Sequence, residues 1–423
     1  MLRSWDAKGL DDPDSDLRLR TQLTDLKDKN MELAKEESTK STDREVAEDF
    51  RRQLQERSEN GSKPTGGRDT FRWLDENRAA FTEVMCKSWG PGHELGMTFT
   101  DFKEELEKTP LPSPHDDPII QSVMRMLCEE VENACQSLGV RLRSGVAYGS
   151  TRALEISAEQ YSVPFTDASV VSLSSGLITF CSHISKAVSL SLPHEADGDK
   201  LRVSFEPKLV LARIGASNEL KQYWARVIGA YAFGSGPLDV KHRIVPYPAS
   251  SAWIQLALAM QRVSVAHEYA HHIAGHGERQ VIGAGGDPYA ISQEFEADLF
   301  ALSLERHIGY RNPEPNIFSA SGVAATLLLK GHDCVRRVRQ IFRSGEDKLE
   351  QGSTHPGISE RIAAFDTLDE QIPDRNRRDF KKMREDFGTI LDEVYSKLKP
   401  MFVKMHRQGL RPLGSADDTW LPY

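Results

Sequence analysis

Towards the end of the chain Phe380, Met383, Phe387, Ile390, Leu391, Val394 and Leu398 recur every three or four positions among charged residues. That spacing places them on one face of a helix over 375–399, and such a face docks on a core. The same period predicts helices over 119–138, 250–275, 292–307 and 319–331, with a shorter piece over 359–368. Two stretches, 139–158 and 169–177, alternate instead, and the second carries β-branched Val170 and Val171, so both predict strands. Residues 201–213 (LRVSFEPKLVLAR) read as one or two further strands. The sum is an α+β fold, mainly helical, with a small sheet.

Polar stretches divide this pattern. Residues 1–57 are densely charged, and Leu19, Leu23, Leu26, Asn30 and Leu33 follow a heptad seam with an amide at a core position. A seam of about two heptads suits either a short coiled coil, pairing two copies or recruiting a regulatory partner, or a solvated helix. Residues 58–68 (SENGSKPTGGR) are a linker. A small helical segment, 69–118, has Phe71, Trp73, Leu74, Phe81, Val84 and Met85 as its apolar set and ends in TPLPSPHDDP, where prolines forbid a helix. The main domain is expected over 119–372, the amphipathic C-terminal helix over 373–408 and a tail over 409–423.

Composition narrows the class. Hydrophobic residues make up 39% of the chain and charged residues 28%, enough apolar material for a sizeable core. The net charge of −9 argues against a nucleic-acid binder working by bulk charge. The apolar runs, such as 227–234 and 252–260, are far shorter than the roughly 18 residues of a membrane span. The start, MLRSWD, lacks the basic-then-apolar order of a secretion signal. Cys86, Cys128, Cys135, Cys181 and Cys334 are scattered with no CxxC pair, which suits a reducing, cytoplasmic setting.

The chemistry concentrates in 265–277, VAHEYAHHIAGHG. His267 and His271, four apart on a helix, project from one face and can reach one ion, and Glu268 beside the first can meet a water on it. Zinc suits such a set, because its catalytic sites take three protein ligands and leave the fourth position to water. A pentad with three fixed letters also arises by chance in a buried helix, so a third ligand decides its meaning. A histidine following a helix-breaking glycine is excluded, since Ala274 and Gly277 stand where glycine and histidine are needed. A glutamate from a second helix fits: in SQEFEADLFAL (292–302) Glu294 and Asp298 share a face with Ala297 and Ala301. Glu294 completes a His₂Glu set holding one zinc per chain. Asp298, one turn on, can accept the free N–H of a ligand imidazole, and the alanines allow the helices to approach. Glu296 is the rival ligand, off that face.

HEYAHHIAGH followed by EFEADLFA resembles the gluzincin metallopeptidases that include HtpX, the mitochondrial Oma-type protease and the CAAX prenyl endopeptidase. The likeness extends to STHPGISERI (353–362), similar to the family's H-P-x-x-x-x-R-I, and to VVSLSSGLI (170–178), similar to its strand-then-Gly-Leu segment. It spans about 119–370 and implies a zinc endopeptidase acting on protein or peptide substrates. Zinc would sit on His267, His271 and Glu294, with Glu268 as base and Asp298 behind the metal. The resemblance also implies His355 near the open coordination position, Arg361 anchoring that loop, and the strand Val170, Val171, Ser172, Leu173 and Ser174 pairing with substrate backbone. The chain departs from the family in having Ser162-Val163-Pro164-Phe165 where an Asn-Ala-Phe sequence is usual, in the long connection over 182–250, and in lacking the membrane helices of HtpX. A latent or regulatory zinc protein, gated by a partner or signal, is the alternative reading.

Other residues have plainer roles. His272 points away from the ligands and reads as packed or solvated. His276 lies about 500° around the helix from His271, off the ligand face, and reads as a cap or support rather than a ligand. Residues 283–288 (GAGGDP) lack the lysine and spacing of a phosphate loop, and no G-x-S-x-G marks a serine nucleophile.

Overall fold

The computed structural model describes residues 37–58, 67–89, 98–143, 145–197, 200–234, 236–240, 243–276, 288–311, 316–347, 356–370, 372 and 374–412. The heptad seam over 19–33 and His355 lie outside them. The chain is mainly helical with a small three-stranded sheet beside the HEYAH helix, as the periodicities predict.

Among the described residues four helices come first: α1 (Glu37–Ser58), α2 (Arg68–Glu76), α3 (Arg78–Trp89) and α4 (Phe99–Glu107). Helix α5 (Pro118–Ser137) follows, with Asp117 as N-cap and proline at its first turn, where the missing N–H costs nothing. Strands β1 (Val146–Thr151), β2 (Ala158–Ser162) and β3 (Ser169–Ser174) form the sheet in the order β1-β3-β2. β1 runs parallel to β3 and β2 antiparallel to it. The strand predicted over 169–177 stops at Ser174, whose hydroxyl accepts the Leu177 N–H at 2.9 Å and so caps helix α6 (Ser175–Ser191). Gly176 has no alternative at this corner, because a Cβ there would lie 2.1 Å from the Glu155 carbonyl oxygen.

The connection over 182–250 is largely helical. Residues 201–213 are a strand only at their start: β4 (His194–Asp197) and β5 (Lys200–Val203) make a hairpin, and α7 (Pro207–Ala216) then begins. Pro207 sets the first helical φ, and Val210 and Ile214, four apart, share the buried face, so helix wins over alternation. Helix α8 (Asn218–Phe233) contains the apolar run 227–234 up to its Gly234 cap, and no helix among the described residues is long and apolar enough to cross a membrane.

At the centre lies α9 (Ala249–Ala274), buried all round through Leu256, Met260, Val265, Ala266 and Tyr269. It packs on α6, on α10 (Pro288–Arg311), on α5 and on the sheet. Ala297 and Ala301 of α10 are wholly buried, and side chains this small let the two helices approach. Arg262 of α9 donates to Glu305 of α10 at 3.0 Å and to Glu130 of α5 at 2.7 Å, joining three helices through one buried guanidinium. After α11 (Ile317–Ala320), α12 (Val323–Ser344) and α13 (Ile358–Asp369), helix α14 (Asp374–Arg407) lies along α12. Its Phe380, Phe387, Ile390, Leu391 and Val394 are buried and its Met383 and Leu398 pack against the core.

The N-terminal α1 is docked on the sheet. Arg51 donates to both carboxylate oxygens of Asp116 at 2.7 and 2.9 Å, and Gln55 donates to the Ser150 carbonyl of β1 at 2.9 Å. Ala47 and Phe50 of α1 pack with Ala147 of β1 and Val170 of β3, so the helix covers one face of the sheet. The β2–β3 turn carries the opposite feature. Phe165 is fully exposed, at 108%, with φ 65, a left-handed backbone that costs a residue with a Cβ about 1–2 kcal/mol. Phe165→Asn is expected to stabilise the protein by about 0.5–1 kcal/mol, because asparagine tolerates that conformation and no contact is lost. Urea unfolding checks this, and a lower midpoint for the variant would count against it.

Candidate metal centre

Three side chains from two helices meet at one end of α9. His267 Nε2 and His271 Nε2 lie 3.1 Å apart, and the Glu294 carboxylate of α10 approaches them at 3.4 Å from each. All three ligand atoms fall within 4.8 Å of one another. Metal–ligand bonds of 2.0–2.1 Å at tetrahedral angles require about 3.3 Å between ligand atoms, so the spacing suits a divalent ion. Atoms bearing lone pairs repel at this separation unless a proton or cation lies among them. The donor set, two imidazoles and one carboxylate, is one that binds a divalent ion. Residues 267, 268, 271 and 294 come together because α9 and α10 pack side by side; His267 and Glu268 are both only 4% exposed.

The supports of this triad carry their own charge. His267 Nδ1 lies 3.1 Å from Asp298 Oδ1, which orients the ring so that Nε2 faces the other ligands. Arg361 of α13 reaches the same carboxylate with Nε and Nη2, both at 2.6 Å, and its Nη2 lies 3.8 Å from Glu294. Burial works to raise the Asp298 pKa, but Arg361 and His267 outweigh it and hold the group below its ordinary value. Burial likewise works to lower His267, yet Asp298 and Glu294 raise it to about 10.

Among the described residues Arg361 is bound to Asp298, while the loop that carries His355 lies outside them. His272 is buried and bonds Ser169 of β3 through Nδ1 at 2.9 Å, so it ties the metal helix to the sheet. His276 is not carried away by the helical angle. Gly275 (φ 66) ends α9 in a left-handed turn, and His276 Nδ1 returns to 2.8 Å from His271 Nδ1. Burial outweighs the pull of Glu296 and holds its pKa below the ordinary histidine value. Glu296, the rival ligand, lies on His276 at 3.4 Å instead.

The substrate strand is a correction. Val170, Val171, Ser172, Leu173 and Ser174 form the central strand, with β1 on one side and β2 on the other. Both backbone edges are hydrogen-bonded, so no third strand can add there. The side of β2 turned away from β3 is paired with no strand among the described residues, and β2 packs against α9.

Removal of Glu294 separates the two carboxylate assignments. Glu294→Ala is expected to lose stoichiometric zinc, and Glu296→Ala to keep one ion per chain at saturating zinc, as read by atomic emission after gel filtration. Zinc retained by Glu294→Ala would move the third ligand elsewhere.

Compared with protein-family models, with curated proteins and with solved structures, the chain matches none.

Proposed function

We propose that this protein is a zinc-dependent endopeptidase of the gluzincin type. The observation that carries the reading is the convergence of His267 Nε2, His271 Nε2 and Glu294 in a buried site with Glu268 on the adjoining helix position. A zinc ion held by these residues would supply Lewis acidity and lower the pKa of a water towards about 7. Glu268 takes the proton of the attacking water on its carboxylate and passes it to the leaving amide nitrogen. Asp298 keeps His267 in the tautomer that presents Nε2, and Arg361 balances the Asp298 charge.

Extended substrate adds as a strand to the outer edge of β2, since β3 is paired on both sides and β2 is the edge strand that packs beside the metal helix α9. In that case the residues nearest the substrate backbone are 158–162 rather than 170–174. His355, carried by the likeness to the gluzincins, is assigned to the oxyanion on that likeness alone.

A gated form of the same activity is favoured by one observation. His267, Glu268 and Glu294 are each no more than 9% exposed, too little for a peptide carbonyl to reach them without movement. Incubation of the purified protein with an unfolded protein, followed by mass spectrometry of new N-termini, tests both. Cleavage abolished by a chelator and restored by zinc supports the peptidase. Cleavage only after a partner is added supports the gated form, and a metal-loaded protein that never cleaves would overturn both.

A further inference from the structure

We infer that His276 and Glu296 act together as a relay that positions the ligand imidazole of His271. This rests on the metal-centre reading above and extends it to residues outside the triad. His271 turns Nε2 towards His267 and Glu294, so that nitrogen must offer a lone pair to an ion and its proton must sit on Nδ1. The atom 2.8 Å from that Nδ1 is Nδ1 of His276, which must therefore accept. A neutral imidazole that accepts at Nδ1 carries its proton on Nε2, and the atom facing His276 Nε2, at 3.4 Å, is a carboxylate oxygen of Glu296. One assignment of protons satisfies every contact, and it ends on an anion.

The two ligand imidazoles are thus backed in different ways. His267 meets Asp298 directly at 3.1 Å, whereas His271 meets Glu296 through an intervening ring. The backbone explains the difference. Asp298 lies one turn beyond Glu294 on α10, but Glu296 is off that face and cannot reach His271 itself. The left-handed turn at Gly275 brings His276 into the gap. His276 is 7% exposed, so its contact with His271 is shielded from competing water, while the Glu296 side chain at the far end is 35% exposed. Support of this kind orients a ligand ring and raises its basicity, and its loss typically weakens metal binding about 10–100-fold.

The test is zinc affinity of the full chain, measured by competition with a chromophoric chelator, beside thermal unfolding of the zinc-free protein. His276→Ala is expected to weaken zinc binding about 10–100-fold. His276→Asn, whose Oδ1 takes the place of the accepting Nδ1, should remain within about threefold of the wild type, because a neutral acceptor is retained. Glu296→Ala, which leaves His276 Nε2 without this acceptor, should weaken binding in the same direction, and combining it with His276→Ala should add nothing, since the proposed effect of the carboxylate passes through the ring. A purely structural role would lower thermal stability and leave the zinc affinity of His276→Ala unchanged, which would overturn the relay. Asparagine as weak as alanine, or additive effects in the double variant, would do the same. A wild type that binds no zinc would instead overturn the metal centre itself, so the two failures are distinguishable.

Discussion

Glu268→Gln is expected to lower peptide hydrolysis about 100- to 10,000-fold, the range general-base catalysis supplies, while one zinc per chain is retained. The two halves of that result come from different atoms. Glu268 is not among the three converging ligand atoms, which belong to His267, His271 and Glu294, so the metal set is intact in the variant. Glutamine matches glutamate in shape and keeps hydrogen-bonding capacity in a position only 4% exposed, so the fold is preserved. What it cannot do is take a proton at neutral pH. Measured together, turnover and metal content separate this from simple loss of the site. Unchanged turnover would discard Glu268 as base, and lost zinc would make it a ligand.

The second large effect falls on stability. Arg361 is fully buried and gives two 2.6 Å hydrogen bonds to Asp298, itself 7% exposed. Replacing Arg361 by methionine leaves a buried carboxylate without its guanidinium, a change that typically costs about 3–5 kcal/mol. The pH dependence has a definite sign. The Asp298 pKa is depressed in the folded protein, so its contribution is present above the unfolded value of about 3.9 and is lost as pH falls through the folded one. The penalty in Arg361→Met is therefore largest near neutrality and shrinks on acidification, when Asp298 can protonate. Adding Asp298→Asn should recover part of the loss, because the uncompensated charge is gone and an amide remains to meet His267. Urea unfolding of the zinc-free single and double variants at several pH values checks this. Strictly additive losses would show that the pair does not couple.

Much of this protein was legible without coordinates. The HEYAH helix is written as a largely apolar approach with two histidines four apart, and the EFEAD helix as two carboxylates one turn apart between large apolar residues. Local spacing suffices for both, because an α-helix repeats its faces whatever lies around it. The docked face of α14 was readable on the same ground. At 201–213 short-range pattern misled: alternation suggested strand throughout, while Pro207 started a helix. His276 reads from sequence as a support rather than a ligand, and the structure adds how it reaches His271, by the left-handed turn at Gly275.

Sequence by itself settled which residue types sit on which helical face, and hence that two imidazoles, a base and a paired Glu and Asp exist in this chain. Only the tertiary structure decided which of them meet. That Glu294 faces the histidines while Glu296 faces His276, that Arg361 lies against Asp298, and that β3 is enclosed by β1 and β2 all join residues distant along the chain. Helical periodicity is a local property of consecutive peptide units, whereas these contacts depend on how close-packed elements settle against each other, and no short-range spacing encodes that.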